Sequence, residues 1–163
     1  MRAELLFATS GLSYVEVLIR AGTAADVPQI KSLLESDGLP VSDLQSAQPH
    51  FLVAQSAAQI VGAGALQWFG RTALLRSLAV AASCRRNGVG RDLVAALEKT
   101  TQAVDVEELI LLTLSAKVFF ARIGYHVIDR QAVPDEVKEG EEFRSLCPAS
   151  AICMSKLLAT RHD

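Results

Sequence analysis

Arg85-Arg86-Asn87-Gly88-Val89-Gly90-Arg91 sets three guanidinium groups around two glycines, after an apolar strand-like stretch from Leu74 to Val80 and at the opening of a helix-like one. Those residue types at that place can hold phosphate. The first turn of a helix has unpaired backbone N–H groups and the positive end of the macrodipole, so an anion fits there. Gly88 and Gly90 let the backbone come close to a bulky diphosphate, and guanidinium groups grip phosphate oxygens two bonds at a time. No Gly-Lys-Ser/Thr follows, so this is not a Walker loop, and no third glycine closes a dinucleotide fingerprint. A phosphate cradle of another kind remains.

The elements that position the cradle follow from periodicity. Val15 to Arg20 alternates as a first strand, and Thr23 to Asp26 gives a capping-box start to a helix whose apolar face is Val27, Ile30, Leu33 and Leu34. Asp37-Gly38-Leu39-Pro40 ends it, and the polar Ser42 to Gln48 has room for one helical turn. Phe51 to Gln55 and Gln59 to Trp68 read as a hairpin across Ser56-Ala57-Ala58, with Gly62 and Gly64 marking a bulge or a close backbone approach. Thr72 to Val80 is the strand that feeds the cradle. Beyond it, Val89, Leu93, Ala96 and Leu97 form the buried stripe of a helix, and Glu108 to Thr113 is an apolar strand covered on both faces. Ser115 is placed to cap a second helix, Ala116 to Ile123, ended by Gly124. Strands at Tyr125–Asp129 and Ala151–Leu157 then flank a charged, partly helical Pro134–Phe143. The order predicts an α/β fold with a mixed, mostly antiparallel twisted sheet of about seven strands flanked by helices. Residues 1–13 read as a tail or strand extension and residues 14–163 as one domain.

Composition bounds the function. The 163 residues suffice for a core without metal or disulfide support, and no apolar run reaches the roughly 20 residues that cross a bilayer. A net charge of -2 argues against nucleic acid as a main partner. Cys84, Cys147 and Cys153 are odd in number and lack C-x-x-C spacing, which points to a reducing, cytoplasmic compartment, and the three scattered histidines offer no metal site.

Leu75 to Val80, then Arg85-x-x-Gly88-x-Gly90, then Ala116-Lys117-Val118-Phe119-Phe120-Ala121-Arg122-Ile123-Gly124-Tyr125 resembles the ordered motif set of the GNAT N-acetyltransferases, over roughly Val15 to Leu157. The resemblance implies an acetyl-CoA-dependent enzyme whose sheet carries a V-shaped split, between the strand ending at Val80 and that ending at Thr113. Leu78, Ala79 and Val80 would pair with the pantetheine arm as an added strand does. Arg85, Arg86, Asn87, Gly88, Val89, Gly90 and Arg91 would hold the pyrophosphate, with Ser115, Phe119 and Phe120 beside the reactive end. A neutral amine would then attack the thioester directly. Homodimers are frequent in the family.

The chain departs from the family at Phe120, where most members carry a tyrosine that protonates the departing thiolate. Phenylalanine donates no proton, yet a thiol of pKa about 8.5 leaves tolerably as thiolate near neutral pH. Ser115, Thr113, Cys147 or water remain as assistants, and no general base is identifiable. Leu111-Leu112-Thr113, Val133-Pro134 and Glu142 to Ala151 are similar to N-acetyltransferases encoded in arsenic-resistance operons, and more loosely to the acetyltransferase domain of N-acetylglutamate synthases. Both similarities imply a small acidic amino acid or glutamate analogue, in some relatives an arsenic-bearing one, as acceptor.

For the acceptor, Arg76 can grip a carboxylate or pair with a sheet neighbour. Arg144 reads as an acceptor contact or a solvated charge, and Trp68 as an acceptor clamp or part of the core or rim. Cys147, besides its place among the assistants, reads as an arsenic ligand or, with no further thiolates to converge on it, as a lone small hydrophobe. The acidic run Glu139 to Glu142 is a solvated face with one carboxylate able to border the acceptor. A CoA-binding module without catalysis, and a protein N-acetyltransferase, are the competing functions.

Overall fold

The computed structural model describes residues 3–9 and 13–159. Residues 1, 2 and 10–12 of the expected tail lie outside the described residues. The elements run β1 (Ala3–Thr9), β2 (Ser13–Ala21), α1 (Val27–Ser36), α2 (Leu44–Ala47), β3 (His50–Ser56), β4 (Gln59–Phe69), β5 (Thr72–Val80), α3 (Val89–Gln102), β6 (Glu108–Thr113), α4 (Lys117–Arg122), β7 (His126–Val127), α5 (Asp135–Lys138) and β8 (Ile152–Leu157). One mixed sheet takes the order β1-β2-β3-β4-β5-β6-β8-β7. Among the described residues its pairs are antiparallel except for β5 with β6. With β1 counted it has eight strands, one more than expected. The strand expected over Tyr125–Asp129 shrinks to His126–Val127, because the segment pairs with β8 only at those two positions.

Alternation along the strands builds two faces. Leu52 and Ala54 join Val89, Leu93, Val94 and Leu97 of α3 on one side, while Val53, Ala63 and Ala79 meet Ile30 and Leu34 of α1 on the other. On that second side, farther along the sheet, Leu74 and Ile110 pack with Val133, Val137 and Phe143. Both faces are thus covered around β5 and β6, which is why those strands are nearly continuous apolar runs.

Gly62 and Gly64 serve the close approach expected of them. A Cβ on Gly62 would lie 2.9 Å from Leu93 Cδ1, and one on Gly64 2.8 Å from Leu97 Cδ1. Bulges lie on both sides of them: against β3 the extra residue is on β4, where Ala54 pairs with Gly62 and Gln55 with Ile60, and against β5 it is on β5, where Ala63 pairs with Ala79 and Ala65 with Arg76. Ser77 takes a left-handed φ of 56° there. In consequence Leu75 and Leu78, three apart, face the same core.

The entry to α1 is held by charge. Asp26 Oδ2 accepts from the Thr23 amide at 2.8 Å, and Arg20 on β2 reaches both Asp26 oxygens at 2.7 and 2.9 Å while its Nε donates to Gln55 on β3 at 2.8 Å. The Arg20 hydrogen bonds hold the Asp26 carboxyl far below the ordinary range, against the opposing effect of burial. A carboxyl depressed on folding adds stability that is fully present above its unfolded value, about 3.9, and is lost as pH falls through the folded one. Urea unfolding from pH 7 down to pH 2 should therefore show stability dropping below about pH 4. Asp26→Asn should cost about 1–2 kcal/mol near neutrality and flatten that drop; an unchanged slope would remove Asp26 from this role.

Candidate active site

β5 and β6 pair only at Thr72 with Glu108, Ala73 with Leu109 and Leu74 with Ile110. Beyond those residues the strands part. A cavity of about 520 Å³ lies in the gap, lined on one side by Leu75 to Leu78 and on the other by Leu111 to Ala116, with Phe120 between. The loop Asp37 to Pro40, Glu142 and Leu146 to Pro148 complete its wall. The bulge at Ser77 interrupts pairing with β4, so Ser77 and Leu78 have no ladder partner on either neighbouring strand. An unpaired strand edge of this kind accepts an extended ligand by backbone hydrogen bonds.

The cradle lies past the end of β5. A short turn over Ala82–Cys84 leads to Arg86 at φ 68° and Gly88 at φ 81°, which brings α3 in with its first turn open. No side chain caps α3, and Asp92 is the first residue to bond back, to Gly88 at 3.0 Å. The amides of Val89, Gly90 and Arg91 precede that first intrahelical bond, as anion binding requires. Arg86 and Arg91 are exposed. Arg85 has another role: its Nε donates to Val80 O at 3.0 Å and its Nη2 pairs with Asp37, tying the cradle to the end of α1.

Leu78, Arg85, Ser115 and Phe120 line the cavity, whereas Ala79, Val80, Arg86 to Arg91 and Phe119 flank it without lining it. Phe119 instead approaches the cradle, where a Cβ on Gly90 would stand 3.4 Å from its ring. Ser115 does not cap α4. The Ala116 amide donates to Thr113 Oγ1 at 2.9 Å, because the strand residue rather than the loop residue reaches the turn. Ser115 is thereby left exposed on the cavity wall.

Phe120 is 4% exposed, edge-on to Phe119 and Tyr125 at centroid distances of 5.0 and 5.4 Å. Among the described residues no tyrosine lines the cavity. Tyr125 donates to Glu98 at 3.0 Å, and burial followed by the Glu98 charge pushes its phenol upward. It therefore supplies no proton to the gap. Cys147 lines the cavity, but burial and then Glu142 raise its thiol to about 12, so it is a hydrogen-bond donor rather than a nucleophile.

Arg76 corrects the picture of an acceptor clamp. Its Nη1 and Nη2 each donate to an Asp43 oxygen at 2.6 Å, and its Nε lies 3.0 Å from Glu142 Oε2. Burial opposes its charge, and the Asp43 hydrogen bonds and neighbouring carboxylates outweigh that, so Arg76 stays a cation. The partners are two carboxylates from the far side of the sheet, with only a longer contact to a sheet neighbour, Gln67, at 3.3 Å. The guanidinium fork is spent inside the protein. Trp68 and Arg144 are likewise placed elsewhere: Trp68 stacks on His50 at 6.3 Å on an exposed part of β4, and Arg144 points from the π-helical turn Glu142–Leu146 with neither lining the cavity. Asp43 carried no signal in the sequence beyond a short polar segment. Glu142 belonged to an acidic run whose other carboxylates, Glu139 and Glu141, are exposed.

Residues 47–127 match the family described as acetyltransferase (GNAT) domain. An uncharacterized N-acetyltransferase of Chlorobaculum tepidum is 35% identical over 88 residues, covering 53% of this chain and 56% of that protein. The chain thus spans about half the length of that curated relative. N-acetylglutamate synthase from Neisseria gonorrhoeae, solved with coenzyme A and N-acetyl-glutamate, superposes with a TM-score of 0.76 at 20% identity over 88% of this chain and 35% of its own. A Mycobacterium tuberculosis protein solved with CoA and NLQ gives 0.74 at 24% identity over 86% and 99% of the two chains. The ribosomal-protein-S18-alanine N-acetyltransferase of Escherichia coli gives 0.69 at 16% identity over 90% and 97%. The fold is that of the GNAT acetyltransferases, and the matches support that family for the chain.

Two substitutions separate the cradle from the buried cluster. Gly90→Asp has room for its Cβ and adds a favourable acidic residue to a helix start, so folding should survive. Affinity for CoA, by titration calorimetry, should nevertheless fall about tenfold or more; unchanged affinity would refute the cradle. Arg76→Ala strands two buried carboxylates and should cost about 3–5 kcal/mol in chemical denaturation. A loss under about 1 kcal/mol would show the cluster to be loosely held.

Proposed function

We propose that this GNAT-fold chain transfers the acetyl group of acetyl-CoA to the nitrogen of a primary amine. The observation that carries the proposal is the parting of β5 from β6, which sets an unpaired strand edge, an open helix N-terminus and a cavity in line. Ser77 to Val80 would hold the pantetheine arm, and the amides of Val89 to Arg91 with Arg86 would hold the diphosphate. The cofactor supplies a thioester carbonyl, and the cavity beyond Leu78 is where an amine would meet it. Ser77, Thr113 and Ser115 are polar residues of the two strand ends that line the cavity. With Phe120 and Tyr125 withdrawn, the thiolate leaves without a tyrosine acid.

The finer reading is an acidic amino acid or glutamate analogue, with or without arsenic, as acceptor. It is supported by the resemblance and by the N-acetyl-glutamate bound to the Neisseria structural relative. It requires a cation for each extra carboxylate. Arg76 and Arg85 are the arginines of the cavity wall, and both are paired with carboxylates of the chain itself. That pairing weighs against an acidic acceptor and towards an amine on an uncharged framework.

A non-catalytic CoA-binding module is the reading that Phe120 favours. Thiol release from acetyl-CoA, followed with a panel of amino acids, amino-acid amides and N-terminal peptides, distinguishes the two. Turnover with at least one amine, with the acetylated product seen by mass spectrometry, is expected. Tight CoA binding without turnover on any of them would leave the module.

A further inference from the structure

The charges buried at and behind the cavity wall do not balance. Asp43 and Glu142, 2% and 7% exposed, place two carboxylates against the single guanidinium of Arg76. Asp43 is saturated by its two short bonds to that guanidinium. Glu142 is not. Its Oε1 receives only the Cys147 thiol, at 3.5 Å, and its Oε2 lies 3.0 Å from Arg76 Nε in an orientation that makes no hydrogen bond. Glu142 Oε2 and Arg76 Nε are both left without a hydrogen-bond partner among the described residues. A buried acceptor atom without a donor is costly, and a surplus negative charge beside it more so. A small cation bearing N–H groups would relieve both, and Glu142 is among the residues that line the cavity.

Resting on the acetyltransferase reading, we propose that Glu142 receives the acceptor's ammonium and takes a proton from it, and so selects an amine with no carboxylate beside it, such as an amino-acid amide or a peptide N-terminus. The groups around it are Arg76 from β5, Asp43 from the start of α2, Cys147 from its own turn, and Arg130, whose guanidinium donates to Phe143 O at 3.2 Å. A carboxylate adjoining the amine would enter beside Glu142, with the Arg76 fork already taken by Asp43, a like-charge contact. An amide there is neutral and carries its own donors. The proton count closes: the ammonium gives one proton to Glu142, the C–N bond forms as the C–S bond breaks, and the second nitrogen proton ends on the departing thiolate. Glu142 then returns its proton to water. Burial raises the Glu142 carboxyl, while Arg76 and the Cys147 thiol pull the other way, so it can accept a proton at a higher pH than an exposed glutamate.

Glu142→Gln keeps the shape and removes the surplus charge, so it should fold as the wild type does. In the thiol-release assay, wild-type protein should favour L-glutaminamide over L-glutamate by at least about tenfold in kcat/KM. Glu142→Gln should raise the amide's KM by about tenfold or more, leave the KM for acetyl-CoA unmoved, and shift the acidic limb of the pH profile of kcat/KM upward to the ionisation of the free amine. Preference for the free acid, or an unchanged KM and pH profile in Glu142→Gln, would overturn the proposal. A second measurement does not depend on turnover. In 13C-carboxyl-labelled protein, the resonance lost in Glu142→Gln should titrate above the ordinary glutamate range and move down when methylammonium chloride replaces sodium chloride. A resonance indifferent to methylammonium would overturn the role of Glu142. If acetyl-CoA binds and no amine is acetylated, the activity reading fails while this titration still decides for or against Glu142.

Discussion

The structure depends on where β5 and β6 stop pairing. Three residue pairs hold the two strands parallel, and beyond Leu74 and Ile110 nothing continues the ladder. Backbone groups left in this way must find partners in a ligand or in water, so the gap can take an extended ligand before any side chain is considered. The extra residue at Ser77 extends the effect to the other edge of β5 and costs a left-handed conformation in a buried position. Both α3 and the cradle follow from the same strand, since the turn after Val80 delivers the helix start next to the opened edge.

The gap is kept from collapsing by charge as well as by shape. Arg76 sits between the apolar cluster under α1 and the one under α5, where alternation would otherwise call for another Leu or Val. Its two short bonds to Asp43 anchor the segment between α1 and β3, and its contact with Glu142 holds the π-helical turn against the sheet. Two irregular segments, which also pack through Leu39, Val41 and Leu44 and through Phe143, are thereby fixed to a central strand. A buried ion cluster is a poor source of net stability compared with a packed core, but it is specific about which groups meet.

On the opposite face the aromatic residues serve the core rather than the reaction. Phe119, Phe120 and Tyr125 form an edge-to-face run, and Tyr125 continues into Glu98 and Lys156, whose Nζ reaches Glu98 at 3.0 Å. This network joins α3, the end of α4 and β8. Phe120 is thus given to packing, and buried charges are concentrated on the side of Arg76 and Glu142.

The residue pattern by itself determined the order of strands and helices, the place of the Arg85–Arg91 run between a strand and a helix, and the family resemblance, because these depend on short-range periodicity and on glycine and arginine at fixed spacing. It also marked Gly62 and Gly64, since a glycine within a strand signals contact wherever the contact comes from. Only the tertiary structure decided what Arg76 does. Asp43 is 33 residues away in sequence, and Glu142 lies farther still, so no local pattern connects them. The same holds for the bulge at Ser77: the glycines of β4 mark the irregularity on their own strand, where Val61 is extra against β3, while the extra residue on β5 is selected by register with a partner strand and not by composition. Chemistry written in neighbouring residues was legible, and chemistry assembled across the sheet was not, because ion pairing depends on distance in space and leaves no trace in spacing along the chain.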